Sequence, residues 1–283
     1  MILKGFYVLS FLAVVGFCIA SFVLLGRERK VDRFVEKVRK MEKVIDPEFN
    51  KIKKYYINLD RSVDRRDYME EQIERLGIEN IERVPGVDGK KANSTEEGKL
   101  EDFKYKISYT KRKVKKGEIG CILSHFKAIR KSYENGDEYA IIFEDDILLD
   151  MSKVWNFKFS EIIEKVDSQM EIINLSTNTV PSRNKPLNLE EYNPKKRSSW
   201  TCSYLITRKG MEKIFRLTES LEIIFDSDLV ADVYLYEKLT TRVLRPSIFI
   251  PDAKNNNSYI RTYDYYNQFS QWNYKLLKYG KYI

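Results

Sequence analysis

The run Tyr139-Ala140-Ile141-Ile142-Phe143-Glu144-Asp145-Asp146-Ile147-Leu148-Leu149 constrains the fold of this chain more than any other stretch. Five apolar or aromatic residues bounded by polar ones predict a strand covered on both faces, as a parallel sheet with helices on either side requires. Three consecutive carboxylates follow at its carboxyl end, where open α/β sheets bind their ligands. Residues one apart point the same way from extended backbone, so Glu144 and Asp146 could share one hard divalent cation, with Asp145 turned toward a neighbouring group. Such an ion typically bridges a diphosphate. The competing reading is that Asp145 and Asp146 open the following loop and cap a helix near Ser152.

The rest of the chain predicts an alternation of strands and helices. A strand at Tyr55–Leu59 is followed by a helix at Asp64–Leu76, with Gly77 placed to cap it. A short strand, Ile81–Val84, leads into Pro85-Gly86-Val87-Asp88-Gly89 and then a polar stretch to Lys116. Helix Glu118–Tyr133 precedes the acidic strand. After it come helix Lys153–Val166, strand Glu171–Leu175, a loop to Ser198, strand Trp200–Thr207, helix Lys209–Leu217 and helix Ser227–Lys238. This order predicts an α/β sandwich with a mainly parallel sheet.

Ahead of that domain, Gly5–Gly26 is 22 residues without a charge, long enough to cross a bilayer and longer than the apolar core of a cleaved leader. The expectation is an uncleaved single-pass anchor over residues 1–27, with a leader cleaved after Cys18-Ile19-Ala20 as the competing reading. Val31, Phe34, Val35, Val38, Met41, Val44 and Ile45 then recur at helical spacing and end near Asp46-Pro47. Residues 28–52 therefore read as a helical stem, which could pair with a second copy. Residues 53–283 form the catalytic domain on this reading. The cations after the apolar run outnumber those before it, which keeps the domain on the cytoplasmic face by the positive-inside rule.

The formal charge of +8 is uneven. Residues 27–54 hold eleven basic and six acidic residues, and Lys104–Lys116 holds seven basic residues and no acid. A solvated face explains both runs; for Lys104, Lys106, Lys111, Arg112, Lys113, Lys115 and Lys116 a second reading is steering of an anionic acceptor or diphosphate. No helix-turn-helix, zinc finger or aromatic RNA-binding signature accompanies the charge, so no nucleic-acid partner is expected. Cys121 and Cys202 read as small buried hydrophobes rather than as a disulfide. Of the sequons at Asn93, Asn174 and Asn256, Asn174 falls in a strand where a glycan would not fit.

Three segments in order carry a family likeness: Ile57-Asn58-Leu59-Asp60-Arg61 through Arg65, then Gly117-Glu118-Ile119-Gly120-Cys121-Ile122-Leu123-Ser124-His125, then Glu144-Asp145-Asp146. With Ser199–Gly210 and Phe225-Asp226-Ser227-Asp228 they resemble the family 25 glycosyltransferases, which include bacterial lipooligosaccharide galactosyltransferases and collagen galactosyltransferases. The likeness runs from about residue 53 to 260. It implies a GT-A-like, nucleotide-sugar-binding sandwich that moves a hexose, most often galactose, from a UDP-sugar to a glycan or protein hydroxyl. Likeness to lumenal animal enzymes places the domain in the ER or Golgi lumen, against the charge rule above.

Transfer from a nucleotide diphosphate needs charge neutralisation on the leaving group, a base for the acceptor proton and a pocket for the sugar. Glu144 and Asp146 are the expected ligands of Mn²⁺ or Mg²⁺; zinc is not expected, because the chain has one histidine and no clustered cysteines. An arginine among Arg61, Arg65 and Arg66 can fork onto phosphate or onto the acidic motif. The resemblance raises Asn58, Asp60 and Arg61 to donor-site candidates and adds Glu118, Ser124, His125 and Asp145. Structural roles compete for Glu118, Ser124 and His125. Asp226 and Asp228 head a predicted helix, where one can be a cap; by the resemblance to β-galactosyl-forming enzymes Asp228 is the candidate base of an inverting transfer, with Asp226 behind it. A sugar nucleotidyltransferase would share the sheet and the acids but would carry a glycine-rich phosphate loop, where this chain has Asp60-Arg61-Ser62. A membrane-anchored carbohydrate-binding module with a dead site would not keep the acids.

Overall fold

The computed structural model describes residues 36–42, 45–91, 97–107, 115–177, 187–194, 200–219, 223–225, 231–245 and 247–252. The apolar run Gly5–Gly26, the sequons Asn93 and Asn256, the cations Lys111, Arg112 and Lys113, and the pair Asp226 and Asp228 lie outside these residues. Among the described residues no helix is long and apolar enough to cross a membrane. Two units separate, one of which runs from Lys43 to Ile260. In the other, residues 36–39 are helical.

The larger unit opens with helix α1 (Pro47–Lys51). The predicted stem helix was expected to end near Asp46-Pro47, yet this pair begins a helix. Asp46 Oδ1 accepts from the Glu48 and Phe49 backbone N–H groups at 2.8 and 3.1 Å, and proline at the first helical position has no N–H to leave unpaired. Then come β1 (Lys53–Asn58), α2 (Val63–Leu76), β2 (Ile81–Pro85), β3 (Glu97–Leu100), β4 (Phe103–Ile107), α3 (Lys116–Glu134) and β5 (Tyr139–Glu144). The remainder is a 3₁₀ turn (Leu149–Val154), α4 (Ser160–Ile163), β6 (Ile172–Asn174), β7 (Asn188–Glu191), β8 (Ser203–Thr207), α5 (Arg208–Glu219), β9 (Ile223–Phe225), α6 (Ala231–Lys238) and β10 (Thr241–Arg245).

Seven strands form one sheet in the order β2-β1-β5-β8-β6-β10-β7. β2, β1, β5, β6 and β10 run one way, and β8 and β7 run against them. The sheet is thus mostly parallel, and its mixed α/β layers fit the GT-A-like expectation. β3, β4 and β9 make a second, three-stranded sheet.

Period-two alternation splits the core into two layers, one on each face of the large sheet. Tyr55, Ala140, Ile142, Tyr204 and Ile206 face α3, whose Ile119, Ile122, Leu123, Phe126 and Ile129 cover them. Tyr56, Ile141, Phe143 and Leu205 face the other way, onto Met69 and Leu76 of α2 and the aromatic group Phe49, Trp155, Phe159 and Phe249. Each fully buried Ile, Leu, Met or Phe among them contributes about 1.5–3 kcal/mol. Because α2 and α3 cover opposite faces, the chain leaves β1 toward β2 on one side and reaches β5 on the other. The carboxyl ends of β1 and β5 therefore border a topological switch point, where open α/β sheets leave a crevice.

Three expectations change. The predicted helix Lys153–Val166 is a 3₁₀ turn and one short helix, because Trp155 takes extended backbone (φ −66°, ψ 134°) and packs edge-to-face against Phe49 and Phe249 at centroid distances of 5.4 and 5.3 Å. The polar stretch before Lys116 contains the β3–β4 hairpin: Phe103 and Tyr105 are buried while Lys104 and Lys106 face solvent. β7 lies within what reads as a loop, and β9 and β10 were not expected. Gly77 caps α2 as expected, at φ +64°, with its N–H on Glu74 O and the Ile78 N–H on Ile73 O.

Candidate active site

β5 delivers Glu144 as its last residue, and the turn that follows carries Asp145 and Asp146 beside the end of β1. Strand alternation stops at Glu144, so Asp145 and Asp146 both reach one guanidinium. Arg65, in the first turn of α2, sets Nη1 at 3.0 Å from Asp145 Oδ1 and Nη2 at 2.5 Å from Asp146 Oδ2. Asn58, the last residue of β1, donates to Asp145 Oδ2 at 2.7 Å and to Ser62 O at 3.0 Å, while its own Oδ1 accepts from Arg83 at 3.1 Å. Asp146 Oδ1 is buried and has no hydrogen-bond partner among the described residues.

Glu144 belongs to a different set of neighbours. Thr201 Oγ1 donates to Glu144 Oε1 at 2.8 Å, and His125 Nε2 lies 3.5 Å from the same oxygen. His125 Nδ1 lies 3.0 Å from the Tyr204 hydroxyl. Cys121, one turn before His125 on α3, completes a group in which sulfur, imidazole nitrogen and carboxylate oxygen all lie within 4.8 Å of one another. Zinc was not expected because the sequence shows no clustered cysteines. Helical i, i+4 spacing and the β5 end bring together a thiol, an imidazole and a carboxylate that are 23 residues apart in sequence at most.

These environments pull the three acids apart. Burial would raise Glu144, but His125, Thr201 and Arg65 outweigh it and hold Glu144 below the usual carboxylate range. Burial raises Asp145 against the opposing pull of Arg65 and Asn58. Asp146 is pushed up to about 7, by burial first and then by the neighbouring Glu144 and Asp145 charges, with Arg65 only partly opposing. The site thus holds one firmly ionised carboxylate and one poised near neutrality.

The other sequence candidates fall in two groups. Asn58, His125 and Asp145 join the acids directly. Asp60, with a side chain 79% exposed, pairs with Arg83, and Arg61 pairs with Asp88 at 3.1 Å, both on the loops beside the cluster. Glu118 Oε2 accepts from the Lys115 backbone N–H at 2.9 Å, closing the first turn of α3. Ser124 Oγ donates to Gly120 O and accepts from the Val87 N–H at 2.8 Å, tying the Pro85–Gly89 loop to α3. Gly120 and Gly89 let that loop touch the helix: a Cβ on Gly120 would sit 2.5 Å from Gly89 N.

Arg65, Arg83, Thr201 and Tyr204 are the site residues that sequence reasoning left out or did not single out. Thr201 and Tyr204 stand in the segment Ser199–Gly210, which carries part of the family likeness, and Arg65 is one of three arginines that spacing alone does not separate. Asn174 is fully buried, donating to Trp200 O and accepting from Ser176 N, so its sequon is closed in the folded state. Cys121 and Cys202 are not disulfide-bonded.

Tyr68 and the segment after β10 brace the acidic turn from outside. The Asp252 N–H donates to Asp146 O at 2.5 Å, Ile147 bridges Pro251, and Tyr68 donates its hydroxyl proton to Asp252 Oδ2 at 2.6 Å.

The family model described as glycosyltransferase family 25 (LPS biosynthesis protein) matches residues 51–231, more than half of the chain. Procollagen galactosyltransferase 2 of Mus musculus is 31% identical over 170 residues, 56% of this chain and 27% of that protein. Its counterpart from Homo sapiens is 29% identical over 168 residues, covering 56% and 26%. A glycosyltransferase 25 family member of Aedes aegypti is 36% identical over 99 residues, covering 33% and 16%. The chain thus spans less than a third of the length of these relatives. The matched residues include both strands, the arginine and all three acids of the site, and on this agreement the chain belongs to glycosyltransferase family 25.

Proposed function

We propose that this chain moves a hexose, galactose by the names its relatives carry, from a UDP-sugar to a hydroxyl of a glycan, lipooligosaccharide or collagen-like protein, with inversion at the anomeric carbon. The observation that carries this reading is the buried acidic turn at the switch point, with an acceptor oxygen of Asp146 that no described group satisfies. Leaving such an oxygen unpaired costs about 1–3 kcal/mol, and an oxygen-seeking cation relieves it. Glu144 and Asp146 are the residues that would hold Mn²⁺ or Mg²⁺, whose chemistry when bound is to neutralise the departing diphosphate.

Asn58 and Arg65 do the positioning: they fix the two aspartates against the end of β1, so the turn does not reorganise as charge develops. Asp60 and Arg61, with Glu118, Ser124 and His125 behind them, line the donor side in this reading. Asp228, or Asp226 in its place, takes the acceptor proton. The acceptor oxygen then forms its bond to the anomeric carbon as the carbon–oxygen bond to the diphosphate breaks, and the electron pair leaves on the phosphate oxygen. Residues 1–27 anchor the chain to a membrane, 28–52 form the stem and 53–283 the catalytic domain.

A panel of nucleotide sugars assayed for acceptor-free hydrolysis with Mn²⁺ tests the proposal. UDP-galactose should be turned over fastest, and excess chelator should abolish that turnover. Full activity in chelator would remove the cation from the mechanism, and preference for a non-uridine donor would overturn the donor assignment.

A further inference from the structure

Cys121, His125 and Glu144 form a group whose chemistry differs from that of the acid pair, and the geometry points to a second cation site there, for a borderline-soft divalent ion such as Zn²⁺. Three observations carry it. The donor atoms are already gathered within 4.8 Å, where tetrahedral bonds of about 2.0–2.3 Å would ask for separations of roughly 3.3–3.8 Å, so about an ångström of side-chain movement closes the site. His125 is 1% exposed and held at Nδ1 by Tyr204 Oη, which leaves Nε2 aimed at Glu144. A metal-ligating imidazole is oriented in this way by a partner on its other nitrogen; with a cation on Nε2, the ring proton would sit on Nδ1 and be donated to the Tyr204 hydroxyl. Thr201 Oγ1 also holds the Glu144 carboxylate, through the same Oε1 that faces His125.

Sulfur, nitrogen and one carboxylate oxygen form a donor set that favours zinc or cobalt over magnesium or manganese. Three protein ligands leave a fourth position for water, the open arrangement of zinc sites that exchange ligands. On binding, the Cys121 thiol proton passes to solvent as the sulfur–metal bond forms.

Glu144 is also one of the two acids assigned to Mn²⁺ or Mg²⁺ under the proposed function, and in that respect the inference rests on that reading. Zn²⁺ at the three-residue site draws Glu144 away from Asp146, so zinc inhibits transfer in competition with Mn²⁺.

Titrating the full-length chain with Co²⁺ tests the site without activity. One equivalent should give a thiolate-to-cobalt charge-transfer band in the near ultraviolet and tetrahedral d–d absorption in the visible, both bleached by stoichiometric Zn²⁺. Cys121→Ser should remove the charge-transfer band and weaken cobalt binding by about 10-fold or more. Cys18→Ser, Cys202→Ser and Asp146→Asn should keep it. If Cys121→Ser does not fold, Glu144→Gln supplies the same affinity readout. A band that survives Cys121→Ser, a band lost in Cys202→Ser, or no band at one equivalent overturns the site. If the band behaves as stated but zinc does not compete with Mn²⁺, the site stands and the sharing of Glu144 with a transferase cation falls.

Discussion

Asp146→Asn should make the cation-free protein more stable, and increasingly so as pH rises. The Asp146 carboxyl is pushed from 3.8 to about 7 by burial and by Glu144 and Asp145, a displacement of about three units. At about 1.4 kcal/mol per unit, holding it ionised in the folded chain costs on the order of 4 kcal/mol. The sign follows from proton counting. Between about pH 4 and pH 7 the folded state keeps a proton that the unfolded chain has released, so stability falls as pH rises through that window and levels off above it. The amide variant has no proton to release and keeps the size of the side chain. Its stability should therefore gain on wild type by about 1.4 kcal/mol per pH unit across the window. Arg65 keeps Asp145 as a partner in the variant, so the lost contact to Asp146 does not reverse the sign. Urea unfolding of both proteins in excess chelator at several pH values from 4 to 8 measures the difference. A variant less stable than wild type at pH 8, or a difference that does not change with pH, would refute the reasoning. Adding Mn²⁺ should then restore wild type selectively, since only it has both carboxylates.

Asp228→Asn should lower transfer by about 10²-fold or more with nucleotide-sugar affinity unchanged, and the wild-type product should be β-linked from an α-linked donor. An α-linked product, read by NMR of the purified glycoside, would remove the inverting assignment. Gly120→Ala should destabilise by about 1–3 kcal/mol in chemical denaturation, because its Cβ meets the Gly89 backbone nitrogen at 2.5 Å and neither chain can give way. Asp150→Ala should lose about 1–3 kcal/mol: Asp150 is fully buried and accepts from both terminal guanidinium nitrogens of Arg75 at 2.8 Å and from Lys153 at 3.1 Å, while Arg75 keeps Glu71 as a partner. Thermal unfolding of that variant within a degree of wild type would show the ion pairs to be incidental.

The central strands were legible because Tyr139–Phe143 is an uninterrupted apolar run and Tyr204–Ile206 a shorter one, each short enough for a strand buried on both faces. The β3–β4 hairpin was not, because Lys104 and Lys106 alternate with Phe103 and Tyr105 in a segment whose charge reads as loop. Trp155 misled in the opposite direction: its neighbours keep helical spacing, but an aromatic cluster formed by residues far away in sequence decides its backbone. At the site, the acids and Asn58 follow from strand ends, which sequence periodicity locates. Choosing Arg65 over Arg66 needs the rotation of α2 about its axis, which depends on how Met69 and Leu76 seat against the sheet. The thiol, imidazole and carboxylate group needs the distance between α3 and β5, and no local pattern encodes that.

The strap from Ser247 to Asp252 sets a boundary that differs from the homology boundary. Its backbone holds Asp146, Ile147 and Leu148 from outside, through bonds to Asp252, Pro251 and Ile250, although the family match stops at residue 231. A fragment trimmed to the matched residues would retain every acid of the site and lose the splint that sets their spacing. The smallest portable catalytic unit therefore extends at least to Asp252. Grafting another family's acceptor loops onto this sheet would have to carry that splint along.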